Sequence, residues 1–209
     1  MPYVCLLLSG AALLVNGLAT LGHLPRRDAA VLSLVVGGTQ LVLGVVHVST
    51  AGHAPADLLT AAGMFLFGIT YVYSGLDALL ALGSRGLGWF CGMVAFCGMQ
   101  LAAAWLGSDP LLAVLWLCWS ALWGLLFACL ALGAGRLEPF AGWSLVLTSQ
   151  MSATVPALLG LAGWWPAGGF VAWLAALLLG SLFGTARVLA RRGPKVPRRA
   201  SAGKPLPAR

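Results

Sequence analysis

The sequence predicts an all-α protein, a polytopic membrane helical bundle with seven spans. Of the 209 residues, 60% are hydrophobic and only 8% are charged, whereas a soluble domain carries far more charge. Apolar runs of about 20 residues, the length that crosses a hydrocarbon core, recur along the whole chain. These two observations exclude an ordinary soluble domain.

Seven apolar segments are separated by short breaks that carry the Gly, Pro and charged residues typical of loops. The predicted spans cover residues 3–22, 29–50, 58–82, 87–106, 110–132, 140–164 and 168–189. Because the breaks are short, we expect consecutive helices to be antiparallel neighbours. The first apolar run begins with no basic residue ahead of it, so no cleavable signal peptide is predicted.

The basic residues indicate the orientation of the bundle. Arg26 and Arg27 lie in the first predicted loop, Arg85 in the third, Arg136 in the fifth, and Arg187 opens the basic C-terminal region. All twelve Lys and Arg residues therefore fall on one side. The positive-inside rule makes that side cytoplasmic and puts the N-terminus outside. We expect a multi-pass protein of the plasma or inner membrane.

The net charge of +7 does not indicate a nucleic-acid partner. Most basic residues lie in the C-terminal tail, which is also rich in Pro, Ala and Ser and is expected to be disordered. A basic tail beside a membrane span more often sets topology or contacts anionic lipid. The expected partners are the lipid bilayer and a small solute.

No arrangement typical of an enzyme or a metal site occurs in the sequence. The five cysteines lie in apolar segments without zinc-type spacing and are interpreted as small buried residues. No paired carboxylates, HExxH motif, Walker motif or nucleophile–base pair is present. The prediction is therefore a protein that is not an enzyme and needs no cofactor.

Polar side chains lie deep in the first and third predicted spans, where each requires a partner. Asn16 lies in the first span. In the third, Phe67, Thr70 and Tyr71 share one helix face by their spacing. Helix–helix hydrogen bonds worth about 0.6–2 kcal/mol would explain each residue separately.

The sixth predicted span carries hydroxyl and amide side chains directly before a proline. Pro156 lacks the N–H that would bond the carbonyl of Ser152. Thr148 and Ser152 could satisfy the interrupted helix, or they could line a wet path.

Three tryptophans follow one another at spacings of three and four in the fifth span. Trp116 could lie at the membrane boundary, but Trp123 is near mid-membrane, where its indole N–H needs a partner that lipid cannot give. Trp116, Trp119 and Trp123 thus form an aromatic ladder that faces either the bundle or a pore.

Four spans that each offer a deep amide, hydroxyl or indole together indicate a narrow, almost uncharged passage. Such a passage suits a small, planar, neutral solute that can form hydrogen bonds, and it excludes ions by desolvation. The alternative is a non-conducting membrane scaffold or assembly subunit, an occluded bundle in which the polar groups satisfy one another.

The order of several motifs resembles the AmiS/UreI family of urea and short-amide channels. The motifs are "NG" and "VVGGTQ" in the first two spans, then "MFLFGITYVYSGLDALLAL", "RGLGWF", "AVLWLCWSALW" and "FAGWSLVL…TVPALL". The resemblance implies a six-helix bundle, a hexameric ring and a pore inside each protomer. The pore lining that it implies comprises Asn16, Phe67, Thr70, Tyr71, Trp116, Trp119 and Trp123.

Three departures from that family bear on gating. Family members often carry a glutamate in the sixth helix, where this chain has Thr148, and acid-gated members have an aromatic residue where this chain has Leu112. The long histidine-bearing outer loops of acid-gated members are replaced here by two short loops, 50–57 and 107–110, in which His53 is the only histidine. Since Thr148 does not titrate, we expect a pore that is not acid-gated.

The combined prediction has three parts. Residues 1–165 form a six-span channel bundle, residues 166–190 an additional seventh span, and residues 191–209 a basic cytoplasmic tail. The predicted function is a passive channel for urea or short aliphatic amides, in which the solute slides through an aromatic constriction. Thr148 and Ser152 complete the predicted pore residues.

Overall fold

The computed structural model describes residues 1–51 and 54–192, so His53 and residues 193–209 of the predicted tail lie outside the described residues. The described residues form helices and connecting turns. The helices are α1 (Pro2–Thr20), α2 (Arg26–Thr50), α3 (Pro55–Leu80), α4 (Arg85–Trp105), α5 (Pro110–Leu130), α6 (Glu138–Ser149), α7 (Val155–Leu161) and α8 (Gly169–Arg192). A short 3₁₀ turn, Gly135–Leu137, precedes α6, and a π-helical turn, Gln150–Thr154, joins α6 to α7.

Among the described residues, seven helical segments are long and apolar enough to cross a membrane, which confirms the predicted all-α fold. The sixth segment, Gly135–Leu161, contains α6, the π turn and α7. Its α-helical ladder is interrupted just before Pro156, where the sequence predicts a break. There the N–H of Val155 bonds the carbonyl of Gln150, one residue further back than in an α-helix.

Proline and glycine mark the ends of the spans. Proline occupies the first turn of α1, α3 and α5, where its missing N–H costs nothing. Glycines with positive φ follow the ends of four segments, the conformation that terminates a helix at least cost. They are Gly22, Gly83, Gly133 and Gly163.

Small residues allow the helices to approach closely, as expected where lipid removes the hydrophobic drive between helices. A Cβ atom added to Gly37 of α2 would lie 2.7 Å from the carbonyl oxygen of Gly68 in α3. One added to Gly17 of α1 would lie 2.9 Å from Cβ of Leu145 in α6. Helices α2 and α3 form one close pair, and α4 and α5 form another. Helix α1 packs against the sixth segment.

Helix α8 packs on the outside of the bundle against α5 and α6. The guanidinium carbon of Arg187 lies 5.2 Å from the centre of the Phe140 ring, a cation–π distance. Most apolar side chains of α8 are exposed; Phe170 and Trp173, for example, keep 71% and 58% of their surface. Helix α8 therefore supports the sixth segment without lining the interior of the bundle.

The chain connections put opposite ends of the bundle in different environments. We call one end the basic end; it contains the turns 21–25, 81–84 and 131–134 and the last turn of α8. The other, called the N-terminal end, contains residue 1, the turns 106–109 and 162–168, and the last turn of α2. All the arginines that the structure describes lie at or near the basic end.

Candidate functional site

A group of buried rings lies at the centre of the bundle, where α3 faces α5. The ring centre of Phe67 is 5.7 Å from that of Trp116, 5.1 Å from that of Trp119 and 4.6 Å from that of Trp123. All three pairs meet edge to face, a favourable arrangement for aromatic rings. We call this group, with Tyr71, the aromatic cluster. It brings together the predicted ladder and the predicted face of α3.

Hydroxyl groups hold two indoles of the aromatic cluster in place. Nε1 of Trp123 donates to Oγ1 of Thr70 at 3.2 Å, and Nε1 of Trp119 donates to Oγ of Ser152 at 3.2 Å. The Thr70 hydroxyl in turn donates to the carbonyl of Leu66 at 2.7 Å. Because its proton is used within α3, the oxygen is left to accept from the indole. Buried indole N–H groups need such partners.

A cavity of about 350 Å³ opens at the basic end of the aromatic cluster; we call it the basic-end cavity. Several of its lining side chains are polar: Asn16, Thr20, Arg26, Thr70, Tyr71, Ser74, Asp77 and Ser84. Trp123 forms part of its wall. Four predicted site residues, Asn16, Thr70, Tyr71 and Trp123, therefore face this space.

A second cavity of about 230 Å³ lies on the other side of the aromatic cluster; we call it the N-terminal cavity. Its walls are mostly rings and apolar groups: Tyr3, Leu6, Met64, Phe67, Trp105, Leu112, Trp116, Trp119 and Trp165. Its polar walls include Ser9, Gln40, Thr60 and Asp109. The described residues that line one cavity do not line the other, so the aromatic cluster separates the two spaces.

Asn16 ties α1 to α2 at the wall of the basic-end cavity. Its Nδ2 donates to Oγ of Ser33 at 2.8 Å and to the carbonyl of Ala12 at 2.8 Å. The side chain is only partly buried. A helix–helix hydrogen bond and a place on the cavity wall, which the sequence left as alternatives, thus occur together at Asn16.

Thr148 and Ser152 line neither cavity and lie behind the aromatic cluster. Both are fully buried. Thr148 donates to the carbonyl of Ser144 at 2.8 Å, and Ser152 accepts from Trp119 within the π turn. In this conformation Ser152 holds Trp119 and Thr148 bonds within its own helix, whereas the sequence predicts both as pore residues.

Asp109 closes the N-terminal cavity with two hydrogen bonds, which the sequence pattern does not reveal. Its Oδ1 accepts from the backbone N–H of Leu112 at 2.9 Å and so caps α5. Its Oδ2 accepts from Nε1 of Trp165 at 2.9 Å. The Trp165 ring lies 5.3 Å from that of Tyr3. The turn before α8 thus joins the mouth of this cavity.

Asp77 and Gln40 are two further polar residues to which sequence reasoning assigned no role. The carboxylate of Asp77 accepts from the backbone N–H of Ser84 at 2.8 Å and from its hydroxyl, which fixes the α3–α4 turn at the basic-end cavity. Gln40 is fully buried beside the N-terminal cavity. The signal available in the sequence was the presence of a glutamine in an otherwise apolar span.

The cysteines remain small buried groups, as the sequence suggests. All five are free thiols, and four of them are buried, with Cys97 intermediate. Within the residues that the structure describes, His, Cys, Asp and Glu side chains do not gather in groups of three that could hold a metal ion.

An apolar helical bundle with two opposed cavities, separated by a cluster of rings, is the architecture of a multi-pass membrane transport protein. Comparison with known proteins agrees. The model of the AmiS/UreI family, described as AmiS/UreI family transporter, matches residues 1–164. The chain therefore belongs to the AmiS/UreI family.

The relatives differ in how much of the chain they match. A Rhodococcus erythropolis protein named AmiS2 is 41% identical over 201 residues, covering 94% of this chain and 97% of that protein. A Mycolicibacterium smegmatis protein named for the transport of amidate substrates is 37% identical over 161 residues, or 76% of each chain. The solved structure of the Helicobacter pylori urea channel in its closed state superimposes with a TM-score of 0.71 at 27% identity, covering 79% of this chain and 100% of that one.

Proposed function

We propose that the protein is a passive membrane channel for urea or short aliphatic amides. The observation that carries the proposal is the pair of cavities, 350 and 230 Å³, that meet at an uncharged aromatic cluster. The names of two relatives, one for amidate substrates and one a urea channel, support this class of solute. We assign the protein no catalytic step.

In the proposed mechanism, the aromatic cluster acts as a desolvation barrier. A planar solute slides between the rings of Phe67 and Trp123 once they part, because flat polar molecules can stack on ring faces. An ion loses its hydration shell there and finds no compensating charge. Asn16, Thr70 and Tyr71 then offer hydrogen bonds on the polar side. Ser152 contributes by accepting a hydrogen bond from Trp119, and Thr148 lies in α6 one turn before it.

We also propose that the basic end faces the cytoplasm and the N-terminal end faces outward. The segregation of Arg26, Arg27, Arg85 and Arg136 supports this orientation through the positive-inside rule. A tag inserted in residues 51–56 should then react with an impermeant label on intact cells, while a C-terminal tag should not. The reverse labelling would contradict the orientation.

A homo-oligomer, in particular a hexameric ring with a pore in each protomer, is proposed on the family resemblance. One candidate contact face is on α2, which exposes Val31, Val35, Val42 and Val45, each at 57% or more of its surface. Such a stripe can face lipid or a neighbouring protomer. Native mass spectrometry from lipid nanodiscs tests the number of subunits directly.

The experiment that tests the function is solute flux into proteoliposomes. Vesicles that contain the purified protein should take up urea or acetamide much faster than protein-free vesicles, and a hexose at the protein-free rate. The occluded scaffold, the second candidate, is favoured by the separation of the two cavities in this conformation. It predicts equal rates with and without protein for every solute.

A further inference from the structure

We propose that Gln40 supplies the hydrogen-bond acceptor that the amino group of a permeating amide meets at the aromatic cluster. This inference rests on the channel function proposed above and names one chemical requirement of its solute, an N–H donor. It is carried by the hydrogen bonds of Gln40 and by its place in the wall of the N-terminal cavity.

The orientation of the Gln40 amide follows from its partners. Nε2 donates to the backbone carbonyl of Cys5 at 2.8 Å and to Oγ of Ser9 at 2.8 Å. A carbonyl oxygen can only accept, so the nitrogen and not the oxygen of the amide must face Cys5. Both N–H protons are then used on α1, and Oε1 points away from these partners.

Oε1 of Gln40 is buried and has no hydrogen-bond partner among the residues that the structure describes. The whole residue has 0% of its surface exposed. An amide oxygen that is buried without a partner is costly. A group that arrives only during transport would complete it.

The position of Gln40 matches the point at which a solute leaves the N-terminal cavity. Gln40 and Ser9 belong to the wall of this cavity, together with Phe67 and Trp119 of the aromatic cluster. The carbonyl oxygen of Ser9 lies 3.5 Å from the hydroxyl oxygen of Tyr71, which lines the basic-end cavity. Ser9 thus connects Gln40 to Tyr71, which lies at the boundary between the two cavities.

The chemistry of the acceptor selects the solute. An amide oxygen with free lone pairs accepts from the amino group of acetamide or urea and offers nothing to an amide without N–H. Because Oε1 is buried in this conformation, the solute reaches it only when side chains at the cluster move. The same movement is needed to join the two cavities.

A purely structural role for Gln40 makes a different prediction. In that case the two Nε2 hydrogen bonds tie α2 to α1, and Oε1 has no function. Gln40→Met keeps the length of the side chain and removes both the donors and the acceptor. Ser9→Ala removes one of the two partners of Nε2 and leaves Oε1 in place, so it weakens the tie without removing the acceptor.

The experiment compares the flux of acetamide with that of N,N-dimethylformamide, a small planar amide without N–H, after subtraction of the protein-free rate. Gln40→Met should lower the acetamide to dimethylformamide flux ratio by about three- to tenfold, the factor that one neutral hydrogen bond contributes. Ser9→Ala should keep the ratio within about twofold of the wild type, since the acceptor remains. Gln100→Met, on the exposed face of α4, is the matched control and should change neither flux.

Each result decides the proposal. A ratio in Gln40→Met equal to that of the wild type, whether both fluxes persist or both fall together, overturns the acceptor role. An equal loss of the ratio in Ser9→Ala overturns it too, because the tie alone would then explain the loss. No flux through the wild type overturns the channel function and this inference together, whereas wild-type flux with an unchanged Gln40→Met ratio overturns only the inference.

Discussion

The two cavities lie on opposite sides of one aromatic cluster but have different walls. The N-terminal cavity is lined mainly by rings and apolar side chains, whereas polar side chains, including Arg26 and Asp77, form a larger share of the wall of the basic-end cavity. On the proposed function, a solute entering from the N-terminal side loses water against rings and regains polar partners beyond the cluster. The barrier therefore coincides with a change in the chemistry of the wall.

One helical turn separates the two environments on each of two helices. On α3, Phe67 lines the N-terminal cavity and Tyr71 the basic-end cavity; on α5, Trp119 and Trp123 divide in the same way. A step of four residues is a rise of about 6 Å. The boundary between the cavities is therefore only about one ring thick, and single substitutions can test it.

The largest expected effect is that of Trp123→Ala, which would join the two cavities. This substitution removes the ring nearest to Phe67, at 4.6 Å, and the donor to Thr70. We expect the flux of a hexose, excluded by the wild type, to rise about tenfold or more, because a site without its walls no longer discriminates by size. Stopped-flow light scattering of proteoliposomes measures it.

Trp164→Ala is the matched control for this substitution. Trp164 keeps 75% of its surface exposed, so its removal should leave both fluxes at the wild-type level. If Trp123→Ala shows unchanged urea flux and unchanged exclusion of the hexose, the ring only packs and does not form the boundary.

A smaller effect is expected from Gly63→Ala, which would add a methyl group against Trp116 instead of removing a ring. The added Cβ atom would lie 2.7 Å from Cζ2 of Trp116, so the indole must shift. Overpacking of this kind costs about 1–3 kcal/mol, and we expect acetamide flux to fall by about three- to tenfold. Gly38→Ala, with no atom within 4 Å of the new methyl group, should keep the wild-type flux. Equal fluxes in both variants would show that Trp116 does not restrict the passage.

A still smaller effect is expected at the mouth of the N-terminal cavity. Trp165→Phe keeps the ring against Tyr3 and removes the hydrogen bond to Asp109. Loss of a bond to a charged acceptor should lower the free energy of unfolding by about 1–2 kcal/mol, measured by thermal unfolding in detergent.

Acetamide flux through Trp165→Phe should change by about twofold at most, because one neutral wall replaces another. The adjacent Trp164→Phe is the control, with no expected change in stability or flux. A large loss of flux in Trp165→Phe alone would show that the main barrier lies at the mouth of the N-terminal cavity and not at the aromatic cluster.

The smallest expected effect is that of pH. The described walls of the N-terminal cavity include Asp109 but no histidine, and histidine is the side chain that usually changes charge between about pH 5 and 8. Thr148, at the position of the family glutamate, does not titrate. Urea flux at an external pH of about 5 should therefore equal that at about 7.5.

A several-fold rise of flux in acid would contradict the absence of an acid gate. His53→Ala then locates the response: loss of the rise would assign the gate to the loop that contains His53, and its persistence to another group.

Much of the fold is readable from local pattern. The ends of a span can be predicted where about 20 apolar residues have Pro in the first helical turn and Gly after the last. Pro156 predicted an interruption of the sixth segment, and the π turn Gln150–Thr154 lies directly before it. The spacing of Trp116, Trp119 and Trp123 alone predicts that the three rings lie on one face of the helix.

The division of those rings between two cavities is a tertiary property. Periodicity shows that Trp119 and Trp123 share a helix face, but only the packing of α3 against α5 places Phe67 between them and turns each N–H to a different hydroxyl. Likewise, the sequence shows Gln40 in an apolar span but not its partners: α1 holds the amide nitrogen, and no donor of the described residues reaches the oxygen. The number and approximate ends of the spans follow from the sequence, since these depend on each residue's own affinity for lipid or water. Which polar atoms remain unpaired follows from packing, because that depends on partners far apart in the chain.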